Sequence, residues 1–149
     1  MYDRILLPTD GSDKMAPVID HAVSLAQTHD SELHALYVVN TASLSDLPME
    51  SSWEGVSQAL TREGEHALSR VQERATDARL TTEMVDGSPS KEIIRYASEK
   101  SCNVIVMGTH GRSGFDRLLL GSVAERVVRS SPVPVLTIRV SDEEVDAAG

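Results

Sequence analysis

The feature that most constrains this chain is a regular alternation between short apolar runs and longer segments with apolar residues at helical spacing. Ile5-Leu6-Leu7, Leu33 to Val39, Thr82 to Val85, Val104 to Met107 and Val133 to Val140 have the length and character of buried strands. Between the first two, Met15, Ile19, Ala22, Val23 and Ala26 recur at a helical period from about Asp13 to Thr28. Pro17 fits only near a first turn, so that helix cannot begin much before Ser12 or Asp13. Val56, Leu60, Ala67, Leu68, Val71 and Ala75 define a second helix from Trp53, weakened modestly by Gly55 and Gly64. Ser88 and Pro89 suit the N-cap and first position of a third, with Ile93, Ile94 and Ala97 on its apolar side. Val123, Val127 and Val128 belong to a fourth. Strands separated by whole helices cannot be hairpins, so the expected fold is α/β, a single five-stranded and mainly parallel sheet with helices on both faces. One domain over residues 1–140 accounts for every periodic segment, and the acidic tail over 141–149 is expected to fray.

Composition narrows the function classes. The 14 basic residues face 23 acidic ones, for a formal net charge of −9, and the only lysines are Lys14, Lys91 and Lys100. Binding to a nucleic-acid backbone depends on Lys and Arg neutralising phosphates, so no nucleic-acid partner is expected. The acidity has two readings, ordinary solubility or adaptation to a salty cytoplasm in which self-repulsion is screened. No apolar run approaches the roughly 18 residues of a membrane span, so no membrane partner is expected either. Tyr2-Asp3-Arg4 leads directly into an apolar strand without a signal-peptide pattern, and Cys102 is the only cysteine, which makes the cytoplasm the expected compartment.

The chemistry-bearing stretch is Gly108-Thr109-His110-Gly111, nine residues from Arg112 to Leu120, and then Gly121-Ser122. It joins the end of a strand to the start of a helix, the arrangement that brings backbone N–H groups close to a phosphate. Ser122 and Glu125 have the spacing of a capping box, with Ser122 as the expected N-cap. Ligands of open α/β sheets bind beyond the carboxyl ends of the strands, where the strand order reverses. Pro8-Thr9-Asp10-Gly11 and Met107 to Gly111 are the strand ends richest in ligand-type residues, and they face each other if strands one and four are neighbours. Asp10 then suits hydrogen bonds from ribose hydroxyls. An ordinary turn acid at Asp10 and a plain surface loop after Gly108 fit the same residues.

Gly108-x2-Gly111-x9-Gly121-Ser122 resembles the ATP-binding signature of the universal stress protein family. The opening Ile5 to Ser12, Gly87-Ser88-Pro89 and Val133-Pro134-Val135-Leu136 resemble that family as well, so the likeness runs from Tyr2 to about Val140. The resemblance implies a Rossmann-like parallel sheet of order 3-2-1-4-5, a homodimer, and membership of the branch that binds ATP. Carried onto this chain, it places Pro8 and Thr9 beside the nucleotide, Asp10 at the ribose and the Val38 backbone at adenine. Met107, Gly108 and Gly111 would line ribose and phosphates, with Gly121, Ser122 and Val123 on the phosphates. His110 and Arg112 lie within the loop. His110 reads as a residue near the phosphates rather than a base, and Arg112 either pairs with a phosphate or faces solvent. The segment from Thr41 to Ser52 is polar and aperiodic, a loop placed to lie over such a site.

The expected function is an ATP-binding, nucleotide-dependent regulator or stress-response binding protein acting on a protein partner that these residues do not identify. A slow ATPase and a dimeric interaction protein with structurally bound nucleotide are the alternatives. A phosphate-binding G-x4-G-K-[ST] loop is absent, and Lys100 is the only lysine beyond Glu99, which argues against fast ATP hydrolysis. Mg²⁺ or Mn²⁺ enters only as the counterion of a triphosphate. Val133 to Val140, an apolar strand at the sheet edge in the implied order, is the expected dimer contact, with Pro132 and Pro134 confining ladder hydrogen bonds to Val135 onward.

Overall fold

The computed structural model describes residues 2–41, 53–109 and 120–140. Along the chain the elements are β1 (Arg4–Pro8), α1 (Met15–His29), β2 (Glu32–Asn40), α2 (Trp53–Arg74), β3 (Arg79–Gly87), α3 (Pro89–Glu99), β4 (Val104–Gly108), α4 (Ser122–Ser130) and β5 (Val135–Ile138). The sheet order is β3-β2-β1-β4-β5, and every neighbouring pair is parallel. Successive strand residues point to opposite faces, and the core divides accordingly. Ile5, Leu7, Leu33, Ala35, Tyr37, Val39, Val104 and Val106 pack with α1 and α2 in one cluster. Leu6, Leu36, Ile105 and Met107 pack with α3 and α4 in the other. The three central strands are covered on both faces, which explains why they stand out in the sequence as nearly unbroken apolar runs.

The edges depart from expectation for a related reason. β3 extends over Arg79–Gly87 rather than Thr82 to Val85, and all nine of its residues pair with β2. Its burial alternates from Arg79 to Met84, because successive side chains point to opposite faces of the sheet and Arg79, Thr81 and Glu83 share the exposed one; Asp86 is exposed as well. Polar positions at its ends conceal a strand that the β2 ladder imposes. β5 contracts to Val135–Ile138, so the expected Val133 to Val140 is corrected at both ends. Pro134 contributes only its carbonyl, which accepts the Ile105 N–H at 3.0 Å, and the Val140 N–H turns to the Thr109 hydroxyl at 3.1 Å.

Gly64 is buried where α2 lies closest to the sheet. A Cβ there would stand 2.7 Å from both Met84 Cε and Tyr37 Cδ1. The residue that lowers helix propensity is therefore the one that lets α2 reach β2 and β3. Ser88 occupies the N-cap position of α3 and Pro89 its first turn, in the expected places, although the Ser88 side chain makes no capping bond.

Candidate functional site

Pairing of β1 with both β2 and β4 places the reversal of strand order at the carboxyl end of β1. Pro8 is buried at the end of that strand, beside Leu36 of β2, and the Thr9 N–H continues the contact to the Leu36 carbonyl at 2.9 Å. The chain then makes a tight turn built from its own side chains. The Thr9 hydroxyl accepts the Gly11 N–H at 3.1 Å, and Asp10 Oδ1 accepts the Ser12 N–H at 2.9 Å. Gly11 has φ +79°, a conformation L residues rarely adopt, so a glycine is needed there. Asp10 Oδ2 makes no hydrogen bond among the described residues. From α2, Arg70 Nη1 reaches across to donate to the Gly11 carbonyl at 3.1 Å and to Asp13 Oδ1 at 2.8 Å.

On the other side of the reversal, β4 ends at Gly108, with Met107 buried in the second core cluster. Thr109 is itself buried and serves as a clamp. Its N–H donates to Ile138 of β5 at 3.0 Å, its carbonyl accepts the Gly121 N–H at 2.5 Å, and its hydroxyl accepts the Val140 N–H. One residue thus draws together the end of β4, the end of β5 and the start of α4. Nothing in the local sequence signals this role of Thr109, because its partners stand twelve and more positions away. Helix α4 starts beside this clamp, so the N–H groups of Ser122, Val123 and Ala124, which have no carbonyl of their own helix to reach, gather at the same end of the sheet.

The expected capping box at α4 is not formed. Gly121, in extended conformation at φ −71° and ψ 166°, is the N-cap, and Ser122 is the first helical residue with no capping bond. Glu125 instead pairs with Arg129 one turn along at 2.5 Å. The chain enters α4 one residue earlier than the capping-box spacing requires, and the Glu125 N–H that a capping serine would accept goes to the Gly121 carbonyl at 2.9 Å. Val123 packs partly against the second core cluster and Val127 is fully buried, whereas Val128 is 45% exposed and faces away from it. The structure therefore brings Pro8, Thr9, Asp10, Met107, Gly108, Gly121, Ser122 and Val123 to one end of the sheet, and Val38 close to the carboxyl end of β2 beside them. His110, Gly111 and Arg112 lie outside the described residues, as does the 42–52 segment. Among the described residues no group of three His, Cys, Asp or Glu is placed to hold a metal ion, and no helix is long and apolar enough to cross a membrane.

A family model described as the universal stress protein family matches residues 1–139. The chain belongs to the universal stress protein family. A universal stress protein of Methanocaldococcus jannaschii is 42% identical over 146 residues, covering 97% of this chain and 86% of that protein. Among solved structures, the universal stress protein UspA of Lactobacillus plantarum superposes with a TM-score of 0.80 at 32% identity, over 93% of this chain and 98% of its own. A universal stress protein solved in complex with cAMP shares the fold at a TM-score of 0.73 and 24% identity, over 94% of this chain and 99% of that one. The α/β fold with strand order 3-2-1-4-5, expected from the family resemblance, is the fold observed.

Proposed function

We propose that this universal stress protein binds ATP at the carboxyl end of its sheet and works as a nucleotide-dependent regulator in the form of a homodimer. The observation that carries the reading is the convergence of the Thr9–Ser12 turn and the α4 N-terminus on either side of Gly108, at the reversal of strand order. The donor set suits an adenine nucleotide. Asp10 Oδ2 offers a carboxylate oxygen to ribose hydroxyls, and the first-turn N–H groups of α4 offer donors and a positive helix end to phosphates. Gly108 and Gly121 keep side chains out of the space between. The Gly121 N–H serves Thr109, so phosphate oxygens would be met by Ser122 and Val123 while Gly121 supplies room. The β2 backbone at Val38 would offer its donor and acceptor to the adenine edge. A relative in complex with cAMP supports an adenine nucleotide as the ligand class. Mg²⁺ or Mn²⁺ would accompany the triphosphate as its counterion.

The dimer part of the proposal rests on β5. It is a four-residue edge strand, and it carries Leu136 at 37% exposure; Val128 of α4 is the other large hydrophobic exposed among the described residues. An apolar, unpaired edge favours pairing with a second copy in antiparallel, two-fold fashion. Ile138 packs against the first core cluster, so Leu136→Asp is the cleaner disruption. Sedimentation should show it shifting toward monomer, and a wild-type protein that is monomeric at micromolar concentration overturns the dimer. For the ligand, the small-molecule content released by denaturing purified protein is measured together with calorimetric titration of ATP, ADP and cAMP. Adenine nucleotide near one per chain, or saturable binding of added ATP, is the expected result. A nucleotide-free protein that ignores all three overturns the reading.

A further inference from the structure

Arg70 lies on α2, far along the chain from the ligand turn, and belongs to none of the motifs that mark the site. Its Nη1 nevertheless donates to the Gly11 carbonyl at 3.1 Å. That carbonyl and the Ser12 N–H belong to the same peptide unit, and a trans peptide holds them pointing in opposite directions. The Ser12 N–H donates to Asp10 Oδ1 at 2.9 Å. Arg70 and Asp10 therefore grip the two ends of one peptide plane. The grip matters at this position because Gly11, at φ +79°, has the conformational freedom that would let its peptide rotate. Rotation would withdraw the N–H from Asp10 and release the carboxylate to other rotamers. Asp13 Oδ1, 2.8 Å from the same Nη1, keeps the guanidinium on station. The Asp13 side chain is 95% exposed, so the pair itself contributes little to stability, and aiming Arg70 is the function left to it.

We propose that Arg70 is a positioning residue for nucleotide binding, acting through the Gly11–Ser12 peptide to hold Asp10 in its ribose-binding orientation. The inference rests on the functional reading above and adds to it a control point on α2. The next turn of that helix supplies its comparison: Arg74 makes a two-pronged pair with Asp20 at 2.9 and 2.7 Å, joining α2 to α1 without touching the turn.

Arg70→Met and Arg74→Met, each alone and combined with Asp10→Ala, are titrated with ATP and with 2′,3′-dideoxy-ATP, and amide hydrogen exchange at Ser12 is measured without nucleotide. Arg70→Met should weaken ATP binding about fivefold, within the range of coupling usual between contacting groups, while Arg74→Met stays within about twofold. The Arg70→Met loss should vanish in the Asp10→Ala background and with the dideoxy ligand, neither of which a general loosening of the fold would bring about. Exchange at Ser12 should quicken in Arg70→Met only. Equal ATP affinity in wild type and Arg70→Met, or a loss that adds fully to that of Asp10→Ala, overturns the proposal. Wild-type protein that binds no adenine nucleotide overturns the functional reading, and the Ser12 exchange rate then decides by itself whether Arg70 locks the turn.

Discussion

The two ends of the sheet are built from similar residue types and put to opposite uses. At the amino end, polar groups are consumed by one another. Asn103 Oδ1 accepts the N–H groups of Asp3 and Arg4, both at 2.8 Å, and Arg4 Nη1 donates to the Lys100 carbonyl at 2.7 Å. Buried His34 is hydrogen-bonded to the Tyr96 hydroxyl through Nδ1 at 2.8 Å and to Glu32 through Nε2 at 2.6 Å. At the carboxyl end, the bonds that exist shape the backbone and leave groups over. Thr9, Asp10 and Thr109 fold the turn and the clamp, while Asp10 Oδ2 and the N–H groups of Ser122, Val123 and Ala124 make no hydrogen bond among the described residues. A parallel sheet offers both ends, but only helix N-termini at the carboxyl ends of strands collect unpaired donors there. The amino end is thus free to be closed for stability, and substitutions at the two ends should separate stability from binding.

The sharpest test of that contrast is Gly121→Val. Gly121 has an ordinary extended backbone that valine can adopt, so the fold should survive with a melting temperature lowered by only a few degrees. Two methyl groups would fill the space beside the α4 N–H groups, and ATP affinity should fall at least about 100-fold, equivalent to about 2.7 kcal/mol. Calorimetric titration of a folded variant with wild-type affinity would erase the contrast.

Tyr96→Phe should do the converse. Removing the hydroxyl leaves His34 Nδ1 buried without its partner, an expected loss of about 2 kcal/mol in urea unfolding with ATP affinity within about twofold of wild type. A comparable loss of nucleotide binding would mean that the two ends are coupled through the sheet.

Alkaline pH probes the same closed end by titration. Burial pushes the Cys102 thiol from 9.0 up to about 11 and the Tyr96 phenol from 10.0 up to about 12. Both groups are neutral in folded and unfolded chains below about pH 9, where their contribution is fully present. Above the ordinary values the unfolded chain releases protons first, so this contribution should fall from about pH 9 and go on falling as pH rises through about 12. Urea midpoints across that range should drop less steeply in Cys102→Ala, and an unchanged slope would count against a buried thiol at this end.

The smallest expected effect is Ser122→Ala. A working capping serine would contribute about 1 kcal/mol to stability. Ser122 makes no capping bond, so the melting temperature should barely move. ATP affinity should fall a few-fold through loss of one hydroxyl contact. A marked destabilisation without any change in affinity would restore the capping role and remove the serine from the binding end.

Much of this architecture was legible because burial and periodicity coincide. Leu33 to Val39 is apolar but for His34, and Val104 to Met107 is apolar throughout, since both of their faces are covered, and Pro17, Ser88 and Pro89 punctuate helix starts through local backbone chemistry. Legibility failed where a neighbour decides. The ends of β3 are polar, and only nine residues of pairing with β2 make them strand. Ser122 and Glu125 have the spacing of a capping box, yet the helix starts one residue earlier and the Glu125 N–H goes to the Gly121 carbonyl.

The sequence by itself determined the number, kind and order of the elements, because those follow from side-chain periods within a few residues; which pair of helices covers which face was decided by the packed sheet. Its glycines and Asp10 also marked the strand ends suited to a ligand. That β1 lies between β2 and β4, so that the two marked ends meet, was implied by family likeness and decided by tertiary pairing across about a hundred residues. The Thr109 clamp and the reach of Arg70 from α2 to Gly11 belong wholly to that second level. A hydrogen bond depends on where two groups stand in space, and no local period along the chain records a partner that only the packed sheet brings near.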